Sequence, residues 1–167
     1  MRVYTLKGLN IYTDKINKEN VSFILDNSYY LKIRKKIYIY ILRLFINVYI
    51  PNYLIKTIKI NKVLKDKVKN SIEERLNNNL VFKYYVPKTS FGNQRGAYIF
   101  SNESNILYFT KFNYKENSYV ESLNKEYKNL VSLKKDSIIQ FPDPILYDVV
   151  EDVEILVTSF LDGLKVV

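Results

Sequence analysis

The second half of the chain contains five short segments rich in aromatic and β-branched residues, and turn residues separate several of them. Such side chains favour strands, whereas glycine, proline, asparagine and aspartate interrupt them. The predicted strands are residues 82–86, 97–101, 107–112, 145–150 and 153–157. Because neighbouring strands joined by short turns pair antiparallel, these segments predict an antiparallel sheet.

One helical pattern interrupts this series of strands. Between residues 119 and 134, apolar residues recur at three- and four-residue spacing, as on one face of a helix: Val120, Leu123, Tyr127, Leu130, Val131 and Leu133. Pro142 and Pro144 prevent the helix from continuing into the next segment. The sequence therefore predicts an α+β fold with a five-stranded antiparallel sheet and one inserted helix.

Lys111 and Glu126 form the candidate functional pair. Lys111 stands near the end of the third predicted strand, and Glu126 follows fifteen positions later, next to the apolar face of the helix. A strand lysine and a glutamate on the following helix can form an ion pair that holds the phosphates of a nucleotide. Gly92 and Gly96 lie in the predicted turn between the first and second strands, where glycine allows positive φ and close approach to an anion.

Residues 81–167 resemble the N-terminal lobe of the protein-kinase-like fold, most closely its aminoglycoside and choline phosphotransferase branch. The family shows a turn, a strand lysine, a helix of the form Glu-x-x-x-Leu, a proline-containing strand, and a strand that runs into a hinge ending in glycine. The matching positions are Phe91 with Gly92 and Asn93, Lys111, Glu126 with Leu130, residues 142–146, and residues 156–163. The resemblance covers about half of the chain.

This resemblance implies roles at the phosphate end of an ATP site. Lys111 would contact the α- and β-phosphates, and Glu126 would orient Lys111. The turn formed by residues 90–96, which includes Gly92, Asn93 and Gly96, would cover the phosphates. That turn lacks the complete Gly-x-Gly-x-x-Gly pattern of protein kinases.

The resemblance also implies roles at the adenine end. The hinge residues Ser159, Phe160 and Leu161 would offer backbone groups to the edge of the base. Phe109 lies two positions before Lys111, where protein kinases usually carry a small residue. Its ring would narrow the adenine pocket or stack on the base.

Kinase-like enzymes place the catalytic aspartate and the Mg²⁺ ligands in a second lobe beyond the hinge. This sequence ends four residues after Gly163 and contains no histidine. Because phosphoryl transfer depends on a positioned nucleophile and on Mg²⁺, we expect this polypeptide alone to be inactive, without catalytic or metal-binding residues. It would be a fragment, a truncated gene product or one part of a split protein, completed by a C-terminal catalytic lobe in cis or in trans. The implied phosphate acceptor is a sugar, an aminoglycoside or an amino alcohol.

Charge is distributed unevenly along the chain. Residues 1–88 contain eighteen Lys or Arg against six Asp or Glu, a net charge of +12, whereas residues 89–167 contain eight against eleven, a net charge of −3. Such asymmetry suggests contact with nucleic acid, an anionic membrane surface or a partner lobe. The richness in Lys, Asn, Ile and Tyr is also expected of an AT-rich genome, and we favour this explanation over nucleic-acid binding.

Residues 1–80 are predicted to form a basic, mainly helical extension that packs on the sheet. Residues 37–50 are apolar except for Arg43 and Asn47, and they follow a basic cluster of Lys32, Arg34, Lys35 and Lys36. The run is shorter than the roughly twenty apolar residues of a membrane-spanning helix. A buried helix, or a strand given the Ile-Tyr alternation at residues 37–41, is favoured over an interfacial membrane helix.

A second helical stripe follows in the same extension. Its apolar positions are Ile60, Val63, Leu64, Val68, Ile72, Leu76 and Leu80, and the asparagines at 77–79 offer a natural end. We place the boundary between the extension and the kinase-like lobe near residues 80–86.

Several site classes are excluded by composition. The sequence has no cysteine and no histidine, which rules out disulfides, thiolate metal sites and the usual zinc sites. The first residues lack the apolar core of a signal peptide, so we expect a cytoplasmic location. Two functional alternatives remain, a non-catalytic adaptor that uses the sheet as a scaffold and a basic binder of membranes or nucleic acid.

Overall fold

The computed structural model describes residues 1–27, 33–45, 50–87, 95–114, 122–136 and 141–160. The chain divides into two compact units, of which unit 1 contains residues 1–60 and unit 2 contains residues 61–161. The described residues form eight strands and four α-helices, and the strand pairs within each unit are antiparallel. The α+β class is thus confirmed, whereas the structure has eight strands where the sequence predicted five.

Unit 1 combines three short strands with two helices. The strands are β1 (Arg2–Leu6), β2 (Tyr12–Thr13) and β3 (Ile55–Lys59), and β1 pairs with both of the others. The helices are α1 (Lys18–Asn27) and α2 (Ile33–Phe45), and a short 3₁₀ helix (Asn52–Leu54) precedes β3. The extension was predicted to be mainly helical, whereas unit 1 contains three strands as well as helices.

The core of unit 1 lies between its strands and its helices. Val3 and Leu6 of β1 are fully buried, as are Val21 and Ile24 of α1. The side chain of Asn17 accepts a hydrogen bond from the Asn20 N–H at 2.8 Å, which is the usual way of satisfying a free donor at a helix start. The three-residue spacing places Val21 and Ile24 on one side of α1, and Leu6 of β1 lines the same cavity as Val21, so β1 and α1 contribute to one apolar core.

α2 is helical, which is one of the two structures expected for the apolar run that begins at residue 37. Ile39 and Leu42 are buried, but other apolar side chains of the helix are exposed to solvent. The prediction of a buried helix is therefore met by only one face of α2. Within the described residues, no helix is long and apolar enough to cross a membrane.

Unit 2 contains five strands and two helices. The strands are β4 (Val81–Pro87), β5 (Arg95–Ser101), β6 (Leu107–Tyr114), β7 (Pro144–Val150) and β8 (Val153–Ser159). Hydrogen-bonded neighbours follow the order β4-β5-β6-β8-β7. The helices are α3 (Lys62–Leu76), which precedes β4, and α4 (Leu123–Asp136), which lies between β6 and β7 in the chain.

α3 begins and ends at asparagines. The side chain of Asn61 accepts a hydrogen bond from the Leu64 N–H at 3.1 Å, and Asn77 adopts a left-handed conformation with φ of 50° at the C-terminal end. The helix end predicted at the asparagine run is therefore confirmed. The sequence predicted a boundary near residues 80–86, and the two compact units divide between residues 60 and 61, so that α3 belongs to unit 2.

One face of the unit 2 sheet is packed with aromatic rings. The Tyr98 ring lies 4.8 Å from that of Phe112 and 5.5 Å from that of Tyr85, measured between centroids. All three side chains are almost fully buried. The Lys65 Nζ of α3 lies 5.5 Å from the centroid of Phe82, so that α3 contacts this aromatic face.

A buried hydroxyl on the aromatic face gives a stability prediction. Thr110 is fully buried, and its Oγ1 has no hydrogen-bond partner among the described residues. Because an unsatisfied buried hydroxyl costs free energy, Thr110→Val should raise the free energy of unfolding by about 1 kcal/mol. Urea denaturation followed by circular dichroism measures this change.

Thr158 supplies the matched control. It is also buried in a strand, but its hydroxyl donates to the Phe109 carbonyl at 3.5 Å. Thr158→Val should therefore not stabilise the protein. Equal losses of stability in the two variants would contradict the assignment of Thr110 as an unsatisfied group.

Candidate functional site

Lys111 lies on the central strand of the unit 2 sheet. It is directly opposite Ala97 of β5 and Leu156 of β8. Successive residues of a strand point to opposite faces, so Lys111 extends from the face opposite that of Thr110 and Phe112. The lysine therefore leaves the sheet on the side away from the packed aromatic rings.

Glu126 meets Lys111 on this face. Glu126 lies in the first turn of α4, and its N–H donates to the Ser122 carbonyl at 3.4 Å. The Lys111 Nζ donates to the Glu126 Oε1 in a hydrogen-bonded ion pair, and each side chain is 38% exposed. The structure thus brings together the two residues singled out in the sequence, and both side chains remain partly exposed to solvent.

The ion pair between Lys111 and Glu126 contributes little to the free energy of folding. When both side chains of an ion pair are partly exposed, water screens their charges, and both side chains lose rotational freedom in forming the pair. What the pair does provide is a fixed position for an ammonium group above the centre of the sheet.

Glu154 of β8 holds the start of α4. Its Oε1 accepts from the Ser122 hydroxyl at 2.7 Å, and its Oε2 accepts from the Leu123 N–H at 3.1 Å. Glu154 is itself buried. Because the first N–H groups of a helix have no partner within it, a carboxylate here satisfies one of them and favours the positive end of the helix. Glu154 therefore fixes the helix end that carries Glu126.

Tyr147 completes the hydrogen bonding of this carboxylate. Its hydroxyl donates to the Glu154 Oε1 at 2.9 Å. Burial, the hydrogen bond to Glu154 and the charge of that carboxylate raise the pKa of Tyr147 to about 12. The hydroxyl therefore remains a donor throughout the neutral range. Glu154 and Tyr147 were not predicted from the sequence, although a single acidic residue inside the apolar run 153–157 was a usable signal.

Aromatic residues predicted at the adenine end also meet. The rings of Phe109 and Phe160 lie 6.5 Å apart between centroids. The Ser159 N–H donates to the Asp143 carbonyl at 2.9 Å, and the Phe160 N–H donates to the Leu107 carbonyl at 3.1 Å. These two hinge donors are therefore engaged within the protein.

Gly96 lies inside β5 and not in a turn. A Cβ at this position would come within 3.0 Å of the Phe112 ring, the Tyr85 ring and the Val86 carbonyl oxygen. Packing on the aromatic face thus accounts for the glycine. The other predicted turn residues, Gly92 and Asn93, lie outside the described residues, as does the hinge residue Leu161.

No protein-family model, curated protein or solved structure matches the chain. In the part of the chain that the structure describes, no group of three or more acidic, histidine or cysteine side chains is arranged to hold a metal ion.

Proposed function

We propose that the part of unit 2 that begins near residue 81 is the nucleotide-binding small lobe of a kinase-like small-molecule phosphotransferase. The ion pair between Lys111 and Glu126 is the observation that carries the proposal. In protein kinases, the phosphate-binding lysine lies on the third strand and pairs with a glutamate of the following helix. Here Lys111 lies on the third strand that follows α3, and Glu126 belongs to the next helix.

The chemistry of the pair suits the phosphates of ATP. Lys111 would place its ammonium group against the α- and β-phosphate oxygens, where opposite charges attract strongly. Glu126 would hold the flexible lysine in position between binding events. The partial exposure of both groups supports this role, since a fully buried pair could not accept a ligand.

Phe109 and Phe160 would form the adenine end of the same site. Phe109 shares the sheet face of Lys111, because the two residues are two positions apart in the strand, which is roughly 7 Å along the chain. Its contact with Phe160 provides apolar ring surface next to the end of β8. A base could stack there while its phosphates reach Lys111.

We propose that this chain binds ATP. Phosphoryl transfer would also require catalytic and metal-binding residues. By resemblance, the catalytic aspartate and the Mg²⁺ ligands belong to a C-terminal lobe, acting in cis or in trans. A hydroxyl of a sugar, an aminoglycoside or an amino alcohol would be the phosphate acceptor. The expected cytoplasmic location would supply ATP.

Removing the charge at Lys111 tests the proposal. Lys111→Met should weaken the binding of a fluorescent ATP analogue by about 10- to 100-fold, because a charge-assisted contact to phosphate is lost. The matched control is Lys128→Met, which removes an exposed lysine of α4. This control should bind the analogue as the unmodified chain does. Thermal unfolding of both variants checks that they are folded.

The relation between Lys111 and Glu126 can be tested separately. Glu126→Gln should also weaken binding of the analogue, and the double variant should lose less than the sum of the two single losses, since the residues act as a unit. If the analogue binds equally well to the unmodified chain and to Lys111→Met, the nucleotide site is wrong. A non-catalytic adaptor, in which the sheet serves as a scaffold, would then be the better interpretation.

A further inference from the structure

Unit 1 carries nearly all of the net charge of the protein. Residues 1–60 contain eleven Lys or Arg against three Asp or Glu, a net charge of +8 out of the +9 of the whole chain. The remaining 107 residues carry fifteen against fourteen, a net charge of +1. Genome-wide composition bias acts on the whole sequence, so it does not explain why residues 1–60 carry a net charge of +8 while residues 89–167 carry −3. Nucleotide binding by unit 2 does not explain it either.

α2 exposes a continuous apolar surface in this basic unit. We define the α2 surface as Ile37, Tyr40, Ile41 and Leu44, whose spacing places them on one side of the helix. These side chains are between 46% and 66% exposed, whereas Ile39 and Leu42 on the other side are buried. Isolated exposed apolar residues are common, but a contiguous row of four on one helix is typical of an interaction surface.

An apolar cavity lies next to this surface. It has a volume of about 340 Å³ and is lined by Leu6, Val21, Tyr38, Ile41, Leu42 and Leu54, among others. Ile41 belongs to both the cavity and the α2 surface. Among the described residues, those that line the cavity include no charged side chain. Its chemistry therefore matches hydrocarbon.

We infer that unit 1 binds the surface of an anionic lipid bilayer through α2. Arg34, Lys35 and Lys36 lie in the first turn of α2, directly before the α2 surface. Helices that lie in the membrane interface combine an apolar face with Lys and Arg, and the anionic headgroups attract the basic residues. A helix of this length spans roughly 20 Å, which suits a position along the bilayer surface.

The combination of charge and apolar surface selects lipid over nucleic acid. Phosphate groups of nucleic acid would satisfy the basic residues, but the aliphatic side chains of Ile37, Ile41 and Leu44 would gain nothing from a phosphate backbone. A bilayer interface offers phosphate and hydrocarbon within a few ångströms of each other. A bilayer surface can therefore bind both the basic first turn of α2 and the α2 surface.

Vesicle binding by the complete 167-residue chain tests this inference. The chain should sediment with phosphatidylcholine vesicles that contain phosphatidylserine and should remain in solution with pure phosphatidylcholine vesicles. The double variant Tyr40→Ser with Leu44→Ser should lower partitioning at least about tenfold, because two side chains no longer enter the interface. Ile41 is left unchanged because it also lines the cavity.

A matched double variant in unit 2 controls for the loss of apolar surface. Val63→Ser with Val81→Ser removes two aliphatic side chains that are exposed to the same degree, at 62% and 58%. This variant should bind vesicles as the unmodified chain does. Changing Arg34, Lys35 and Lys36 to Gln should lower partitioning by roughly 100-fold and remove most of its salt dependence.

Four outcomes would overturn the inference. These are absence of vesicle binding, equal binding to the two kinds of vesicle, equal losses in the two double-serine variants, and self-association of the lipid-free chain that Leu44→Ser abolishes. The last would identify a second copy of the chain as the occupant of the α2 surface. The assay contains no nucleotide, so its result is independent of the function proposed for unit 2.

Discussion

Replacing Phe112 with alanine is expected to lower the free energy of unfolding by about 3–5 kcal/mol. Phe112 is only 3% exposed, and its ring stacks on Tyr98 at 4.8 Å and on Tyr85 at 6.4 Å between centroids. Gly96 lies directly opposite Phe112 and has no side chain that could fill the space left by the ring. Because the site cannot readily collapse, we expect a loss in the upper part of the range.

Urea denaturation of the purified chain measures this loss. Phe112→Leu keeps part of the apolar volume and should therefore lose less stability than Phe112→Ala. Ile106→Ala is the matched control, because Ile106 precedes the same strand but is 54% exposed; its effect should be within about 0.5 kcal/mol. A loss below about 1 kcal/mol for Phe112→Ala would show that the aromatic face does not form the core of unit 2.

Local sequence signals were sufficient to predict the strands and helices of unit 2. The strand predicted at 107–112 lies within β6, and the turn before it contains Asn105 with φ of 58°, a conformation that asparagine tolerates. The helix predicted from residue 119 corresponds to α4 at Leu123–Asp136, with a start that differs by a few residues. Apolar periodicity and turn residues act over short stretches of chain, so they can be read from one sequence.

Unit 1 was less predictable for a physical reason. β1 pairs with β3 in the register Arg2↔Lys59, which joins the two ends of the unit, and β2 has only two residues. Neither long-range pairing nor a two-residue strand leaves a pattern in the local sequence. The apolar run of α2 was compatible with a helix or a strand, and the choice between its buried and exposed faces depends on β1 and α1, which only the fold brings near it.

The candidate site was also only partly predictable from the sequence. Lys111 and Glu126 were selected from their elements and from the resemblance, and the structure places them in contact. The hinge was predicted to offer backbone groups, but hydrogen bonds within the protein already occupy the N–H groups of Ser159 and Phe160. Glu154 was missed because its role depends on the position of the start of α4 relative to β8, which strand periodicity does not contain.

Glu154→Ala is expected to lower the free energy of unfolding by about 3 kcal/mol and to weaken nucleotide binding as well. The change leaves the Ser122 hydroxyl, the Leu123 N–H and the Tyr147 hydroxyl without their shared acceptor. Because these groups fix the start of α4, Glu126 should lose its fixed position next to Lys111. Glu74→Ala, which removes an exposed glutamate from α3, is the control and should change neither property.

Glu154→Gln separates the charge of this residue from its shape. The amide keeps one oxygen acceptor, so the variant should lose less stability than Glu154→Ala. The pKa of Tyr147, now raised to about 12, should move toward its ordinary value, because two of the causes that raise it are the hydrogen bond to the Glu154 carboxylate and its negative charge. Alkaline titration of tyrosine absorbance, with Tyr147→Phe as the reference, measures this change. An unchanged titration, together with unaltered hydrogen exchange at the Leu123 amide, would show that Glu154 does not hold the start of α4, and the weakened nucleotide binding would then lose its explanation.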